Sequence, residues 1–281
     1  MVRLGAPGIA CSAPSDLPCE RRMRLPIHQV DAFTSRRFGG NPAAVVVLDD
    51  WLEDALLQSI AAENNLSETA YVIPSRTPCP LRWFTPVLEI DLCGHATLAS
   101  AHVLLRHYLP EQPAITFETR SGALTVARDG ERLVMDFPAR PGRPIPIDDA
   151  LIGALGVRPR EALLARDLLA VFDSDETIRA FRPDARRIAA LDAFGLIISA
   201  PGRDVDFVSR FFGPRAGVLE DPVTGSAHCT LVPYWATRLG KRELAARQLS
   251  ARGGELDCAL RGDRVTIAGG VVEYLRGEID V

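Results

Sequence analysis

Lysine is almost absent from this chain. Its 281 residues carry 32 lysines and arginines, and Lys241 is the only lysine. It follows Leu239-Gly240, a helix C-terminus signal that puts it on the surface. That scarcity removes two classes of chemistry. A pyridoxal phosphate enzyme needs a Schiff-base lysine, and a P-loop needs Gly-Lys-Ser/Thr, whereas Lys241 precedes Arg242. The six cysteines (Cys11, Cys19, Cys79, Cys93, Cys229 and Cys258) include no C-x-x-C pair and no zinc spacing. Thiols this scattered in a chain this long do not read as a disulfide framework, so the expected compartment is the cytoplasm. Basic blocks are missing too, and the net charge is −4, which argues against a nucleic-acid partner. No apolar run approaches the ~20 residues of a membrane span.

What is present is a large apolar fraction, 47%, enough for a substantial core. Residues 1–22 contain Pro, Gly and Ser without an apolar run of signal-peptide length and read as a disordered lead. From Met23 onward, the patterns alternate between strand and helix. Strands are expected at Ile27–Phe33, Ala43–Leu48, Thr69–Ile73, Leu81–Thr85, Ala114–Thr119, Gly122–Ala127 and Arg132–Phe137. Asp50 reads as the cap of a helix through Trp51 to Ile60, and Leu98–Tyr108 as a helix apolar around its circumference, hence buried. The segment Ala139–Pro146, with three prolines and a glycine, is the clearest boundary. Beyond it the order recurs: a helix at Asp148–Leu155, strands near Asp167–Phe172 and Phe194–Ser199, and a helix at Ala227–Leu239. Strands at Leu249–Ala251, Glu255–Leu260, Arg264–Gly269 and Val271–Arg276 complete it. The implied halves are 24–128 with 270–281, and 129–269.

One device occurs twice, 131 residues apart. Cys93-Gly94-His95-Ala96-Thr97 and Thr224-Gly225-Ser226-Ala227-His228 both place Gly, a polar residue and Ala at the mouth of a helical stretch. Such a turn offers unpaired backbone N–H groups to an anion. Two of them on opposite halves imply a cleft that grips a small anionic ligand from both sides.

Several side chains near these turns carry acid–base potential. Glu68 stands at a loop-to-strand junction before an apolar strand, where burial raises a carboxyl pKa towards that of a general base; a solvated strand start is the commoner role for such a residue. His95 lies in the first turn of a helix, whose dipole favours the neutral ring, or it is a buried structural histidine. Asp221 precedes Pro222 and is extended, free to orient a partner or to close a turn. Cys93 sits where a helix N-terminus lowers a thiol pKa. Ser226 interests us for its backbone N–H more than its hydroxyl, because Val223-Thr224-Gly225-Ser226-Ala227 lacks the flanking glycines of a nucleophile elbow. His102, His107 and His228 have no metal-type spacing and read as structural.

Taken together, Val30-Asp31-Ala32-Phe33, Gly40-Asn41-Pro42-Ala43-Ala44-Val45, Asn65-Leu66-Ser67-Glu68-Thr69-Ala70, Phe84-Thr85-Pro86, Gly94-His95-Ala96-Thr97 and Asp221-Pro222-Val223-Thr224-Gly225-Ser226-Ala227 resemble the phenazine-biosynthesis PhzF-like isomerase family, in the family's order. The resemblance implies an α+β, diaminopimelate-epimerase-like fold: two pseudo-symmetric domains, each a mostly antiparallel sheet wrapped round a central helix, with the active site between them. It implies isomerisation of a small carboxylate-bearing metabolite without metal or cofactor. Glu68 would move the proton, assisted by His95 and Asp221. Gly94, Gly225, Ser226 and Ala227 would hold the substrate carboxylate, with Asn41 nearby. The related epimerases use two cysteines at the positions of Cys93 and Thr224, so a two-thiol mechanism is not available. An epimerase working through Cys93 and Glu68 and a non-catalytic metabolite-binding protein are the alternatives. A homodimer is expected on general grounds.

Overall fold

A computed structural model describes residues 23–281; the expected lead, residues 1–22, lies outside them. The described strands form one continuous hydrogen-bonded series that applies the same pairing rule twice. Strand Arg24–Ala32 pairs antiparallel with Asn41–Val47, which runs parallel to Glu68–Val72. That strand pairs antiparallel with Cys79–Phe84, which runs parallel to Ala114–Thr119. Gly122–Asp129 and Arg132–Pro138 follow as antiparallel neighbours. The second run passes through Glu161–Leu164, Leu168–Val171, Leu196–Pro201, Phe207–Gly213, Glu243–Gln248, Gly254–Arg261 and Arg264–Gly269 with the same succession of senses. The duplication expected from the element order and one short motif is therefore written into the topology. The runs join where their last strands, Arg132–Pro138 and Arg264–Gly269, pair antiparallel. Strand Val271–Asp280 then crosses back to Arg24–Ala32.

Six α-helices lie among the described residues: α1 Asp54–Asn64, α2 Gly94–Val103, α3 Asp149–Leu155, α4 Asp175–Ala180, α5 Ala185–Ala189 and α6 Gly225–Leu239. Two of them, α2 and α6, hold equivalent places, each preceded by a short strand (Glu89–Ile90 and Val218–Asp221). Strands Arg24–Ala32, Asn41–Val47, Glu68–Val72 and Arg132–Pro138 pack on α2, and Glu243–Gln248, Gly254–Arg261 and Arg264–Gly269 on α6. The fold is thus an α+β arrangement of two successive strand runs around two central helices. α2 is buried on nearly every side, as its all-round apolar pattern requires. Its buried Ser100 hydroxyl is satisfied by the Ala96 carbonyl at 2.7 Å.

Three local expectations need correction, and one strand has no counterpart among them. Asp50 does not cap α1: its carboxylate accepts the Trp51 N–H at 2.9 Å and pairs with Arg76, and the helix begins only at Asp54. The helix expected from Leu98 starts at Gly94 and ends in a π-helical turn, Leu104–Tyr108. The strand expected at Leu249–Ala251 is a turn, and the strand before it is Glu243–Gln248. Its alanines and charges are weak strand formers, but Phe207–Gly213 and Gly254–Arg261 supply partners on both edges. Phe207–Gly213 itself went unrecognised because Ser209 and Arg210 interrupt the apolar run; Arg210 is buried against Glu220 at 2.7 Å.

Candidate functional site

The two helix starts meet. A Cβ added to Gly94 would lie 3.8 Å from Gly225 Cα, and one added to Gly225 would lie 3.9 Å from Gly94 Cα. Phe33 helps to set this approach. It has φ of 61°, a left-handed conformation that costs a bulky residue about 1 kcal/mol or more. The turn carries its ring beneath α6, where Cζ lies 3.9 Å from the Cβ position of Gly225. A Cβ at Gly269 would sit 2.5 Å from the Phe33 ring, so glycine is required there. Asp31, buried, anchors the following loop by pairing with Arg252 at 2.6 Å and accepting the Phe38 N–H at 3.0 Å.

That loop delivers Asn41, fully buried at the start of its strand, to the junction. Its amide nitrogen lies 2.7 Å from Asp221 Oδ1, 3.0 Å from the Val223 carbonyl and 3.1 Å from His95 Nδ1. An amide has two hydrogens, and the two shortest contacts take them. His95 Nδ1 is left facing Cys93 Sγ at 3.5 Å. On the other side of the ring, Nε2 lies 2.9 Å from Glu68 Oε2. The parallel pairing of Asn41–Val47 with Glu68–Val72 puts Glu68 at the same end of the sheet as Asn41, beside the start of α2.

Two electrostatic expectations are overturned here. Burial disfavours a charged His95 ring, but the Glu68 carboxylate in contact with Nε2 opposes it and the pKa is held above 6.5. The helix dipole, an effect of about 1 kcal/mol, loses to a carboxylate in direct contact. The Cys93 thiol is not acidified by its helix. Burial, reinforced by the Glu68 charge, pushes its pKa up to about 11, so it is a neutral thiol.

Asp221 ends strand Val218–Asp221 and faces α6. Its Oδ1 accepts from Asn41 and its Oδ2 from the Thr224 hydroxyl. Burial raises its pKa to about 6, with the Glu68 charge adding and His95, Thr224 and Asn41 opposing. Gln248 completes the frame. It is fully buried, accepts the Thr224 N–H at 2.9 Å and donates to the Asp221 carbonyl at 2.8 Å. A single polar residue at the end of a strand gave no sequence signal for this role.

At the helix starts, the N–H groups of Gly94 and His95, and of Gly225 and Ser226, have no intrahelical acceptor. Ala227, expected to join them, does not. Its N–H donates to the Thr224 carbonyl at 3.2 Å, because the first turn of α6 closes tightly. The Ser226 hydroxyl accepts from Arg166 at 3.0 Å, a partner that sequence reasoning missed. Arg166 also pairs with buried Asp167 at 2.9 Å and stacks over Phe194.

Among the described residues, two groups bring three metal-type donors within 4.8 Å of one another: Glu68, Cys93 and His95, and His28, His107 and Glu273. In the first, Cys93 and Glu68 contact opposite nitrogens of one imidazole, so the ring separates them. The second joins residues remote in sequence, which spacing could not reveal. Its carboxylate lies 2.7 Å from His28 Nδ1 and 3.1 Å from His107 Nε2, and the two rings stack. His228 is structural, its Nδ1 bonded to the Thr224 carbonyl at 2.9 Å.

The family model described as phenazine biosynthesis-like protein matches residues 30–277. An uncharacterized isomerase of Pseudomonas aeruginosa is 52% identical over 257 residues, covering 92% of this chain and 99% of that protein. The crystal structure of a PhzF-family phenazine biosynthesis protein from Enterococcus faecalis superposes with a TM-score of 0.90 at 46% identity, covering 92% of this chain and all of the other. A hydroxyproline epimerase from Agrobacterium vitis shares the fold at 12% identity and a TM-score of 0.59, over 92% of this chain and 93% of its own.

Proposed function

The chain belongs to the phenazine biosynthesis-like family, and from that premise we propose that it is a cofactor-independent isomerase that moves a proton between carbons of a small carboxylate-bearing metabolite. The observation that carries this reading is the contact of His95 Nε2 with Glu68 Oε2 at 2.9 Å, beside two abutting helix starts. The Glu68 carboxylate, in contact with the ring beside the helix starts, is the group placed to accept a proton from carbon. The substrate carboxylate lies against the N–H groups of Gly94, His95, Gly225 and Ser226. These donors are fixed before the reaction and stabilise the enolate-like charge that develops when the proton leaves. Glu68 then returns the proton to a second carbon, and Asn41 and Asp221 hold the ring in place. No electron sink is needed, because the carboxylate and the helix starts take up the charge.

The alternative epimerase mechanism needs a thiolate at Cys93. A buried thiol with a pKa of about 11 supplies almost none near neutral pH, which favours Glu68 over Cys93 as the base. The test is deuterium uptake from solvent across a panel of small carboxylates. Glu68→Gln should cut exchange by ~100-fold or more while binding persists. A Glu68→Gln enzyme that keeps most of its exchange rate would place the base elsewhere.

A further inference from the structure

Beside the start of α6 lies a cavity of about 270 Å³, near the lower end of ligand-pocket volumes. Leu92, Leu124 and Phe137 form an apolar wall, and Ser121, Arg140 and Ser226 a polar one. The cavity borders the proposed carboxylate site at two points. Phe137 Cζ lies 3.8 Å from the Cβ position of Gly94, and Ser226 supplies both a helix-start N–H and part of the lining.

Arg140 comes from the Pro-rich boundary segment, yet its backbone is fixed. Its N–H donates to the Cys229 carbonyl at 2.8 Å. That carbonyl is available because Pro233, four residues further along α6, has no N–H to give it. The two arginines near the cavity then differ in commitment. Arg166 is bound to Ser226 and Asp167. The half-buried Arg140 side chain has no ion-pair or hydrogen-bond partner among the described residues. Arg140 lines the cavity itself, and Arg166 is held at its edge through Ser226. The Asp167 carboxylate is taken up by Arg166.

We propose that the cavity receives a second anionic group of the substrate, paired with Arg140, and that the enzyme therefore acts on small dicarboxylates or equivalent dianions whose apolar middle packs on Leu92, Leu124 and Phe137. This rests on the reading of the helix starts as the site of the first carboxylate. A planar guanidinium without an internal partner matches a carboxylate in two-point geometry. An acid with one charge would leave Arg140 without a partner in a partly desolvated wall.

The experiment is titration calorimetry on the Glu68→Gln protein with matched acids: pentanoate against glutarate, and hexanoate against adipate. The diacid of at least one pair should bind ten-fold tighter or better than its monoacid, and Arg140→Gln should bring that ratio to within two-fold. Arg140→Gln keeps the backbone N–H bonded to Cys229, so the fold's own contact survives. Gly225→Ala serves as the second variant, because crowding of the helix start should weaken both classes of acid. If Gly225→Ala weakens both classes and no diacid preference exists, or if the preference survives Arg140→Gln, this proposal is wrong and the carboxylate site stands. If neither class responds to Gly225→Ala, the carboxylate site itself is wrong and the proposal falls with it.

Discussion

Asn41 donates its side-chain amide to Asp221 across 2.7 Å, and this bond ties the first strand run to the second at the point where the two central helices start. Removing the donor while keeping the volume, as in Asn41→Leu, leaves the Asp221 carboxylate and the Val223 carbonyl short of a partner in a buried site. A buried acceptor so abandoned costs ~1–3 kcal/mol, and more when it is charged. We expect Asn41→Leu to lose about 3 kcal/mol in urea denaturation and most of its exchange activity. A variant as stable as the parent would mean that the bond contributes nothing net.

The Asp221 carboxyl gives the site a pH signature. Its folded pKa of about 6 lies above the ordinary carboxyl value of 3.8, so the folded protein holds this proton more tightly than the unfolded chain does. The resulting stabilisation is complete below the unfolded value and is lost as pH rises through about 6. About two pKa units correspond to ~3 kcal/mol. His95 runs in the same sense, since its folded pKa is also raised: its contribution is present below 6.5 and fades as pH climbs through the folded value. Asp221→Asn cannot titrate. The stability of the parent minus that of Asp221→Asn should therefore fall by ~2–3 kcal/mol between pH 4 and pH 7. A difference that is flat with pH, or that grows, would contradict the raised pKa.

Cys93 offers a direct test between a carboxylate base and a thiol base. With its pKa pushed up to about 11 by burial, the side chain is protonated in ordinary buffers and 6% exposed. Cys93→Ala should exchange substrate protons within about three-fold of the parent rate. Iodoacetamide should alkylate Cys93 slowly in the native state and readily after denaturation, read by mass spectrometry of the peptide. A Cys93→Ala enzyme without activity, next to an active Glu68→Gln enzyme, would reverse the assignment.

The parts of this site that were legible in the sequence are those carried by short, local signals. Gly94 and Gly225 open helices after an extended residue, and His95 and Asp221 lie within a few residues of those starts, whereas Glu68 stood out through its loop-to-strand junction and the family resemblance and reaches the site by the parallel pairing of its strand. The rest depends on strand pairing. Gln248 reaches Thr224 only because Glu243–Gln248 runs parallel to Phe207–Gly213 and antiparallel to Gly254–Arg261, a register that the Ala-rich sequence does not advertise. Arg166 reaches Ser226 across 60 positions, and His28 reaches Glu273 across 245. The electrostatic errors share one cause. Position on a helix suggested the sign for Cys93 and His95, whereas burial and a carboxylate in contact decide it.

The abutting glycines separate binding from stability. A Cβ at Gly94 or Gly225 would meet its nearest neighbours at 3.8–3.9 Å, an ordinary van der Waals distance. Neither substitution should therefore strain the fold. Alanine is the better helix former by up to about 1 kcal/mol, so Gly94→Ala and Gly225→Ala should melt no lower than the parent. The added methyl nevertheless occupies the gap between the helix starts, over the N–H groups proposed to receive the carboxylate. An anion held there depends on close approach, because the helix-end field falls off within the first turn. Displaced by a methyl group, it should lose ten-fold or more in affinity, about 1.4 kcal/mol, for each substitution. Thermal melting combined with titration of carboxylates into the two variants, each carried on Glu68→Gln, measures both quantities. Unchanged melting with weakened binding is the expected pattern. Affinity equal to that of Glu68→Gln alone would show that the carboxylate does not sit between the two helices.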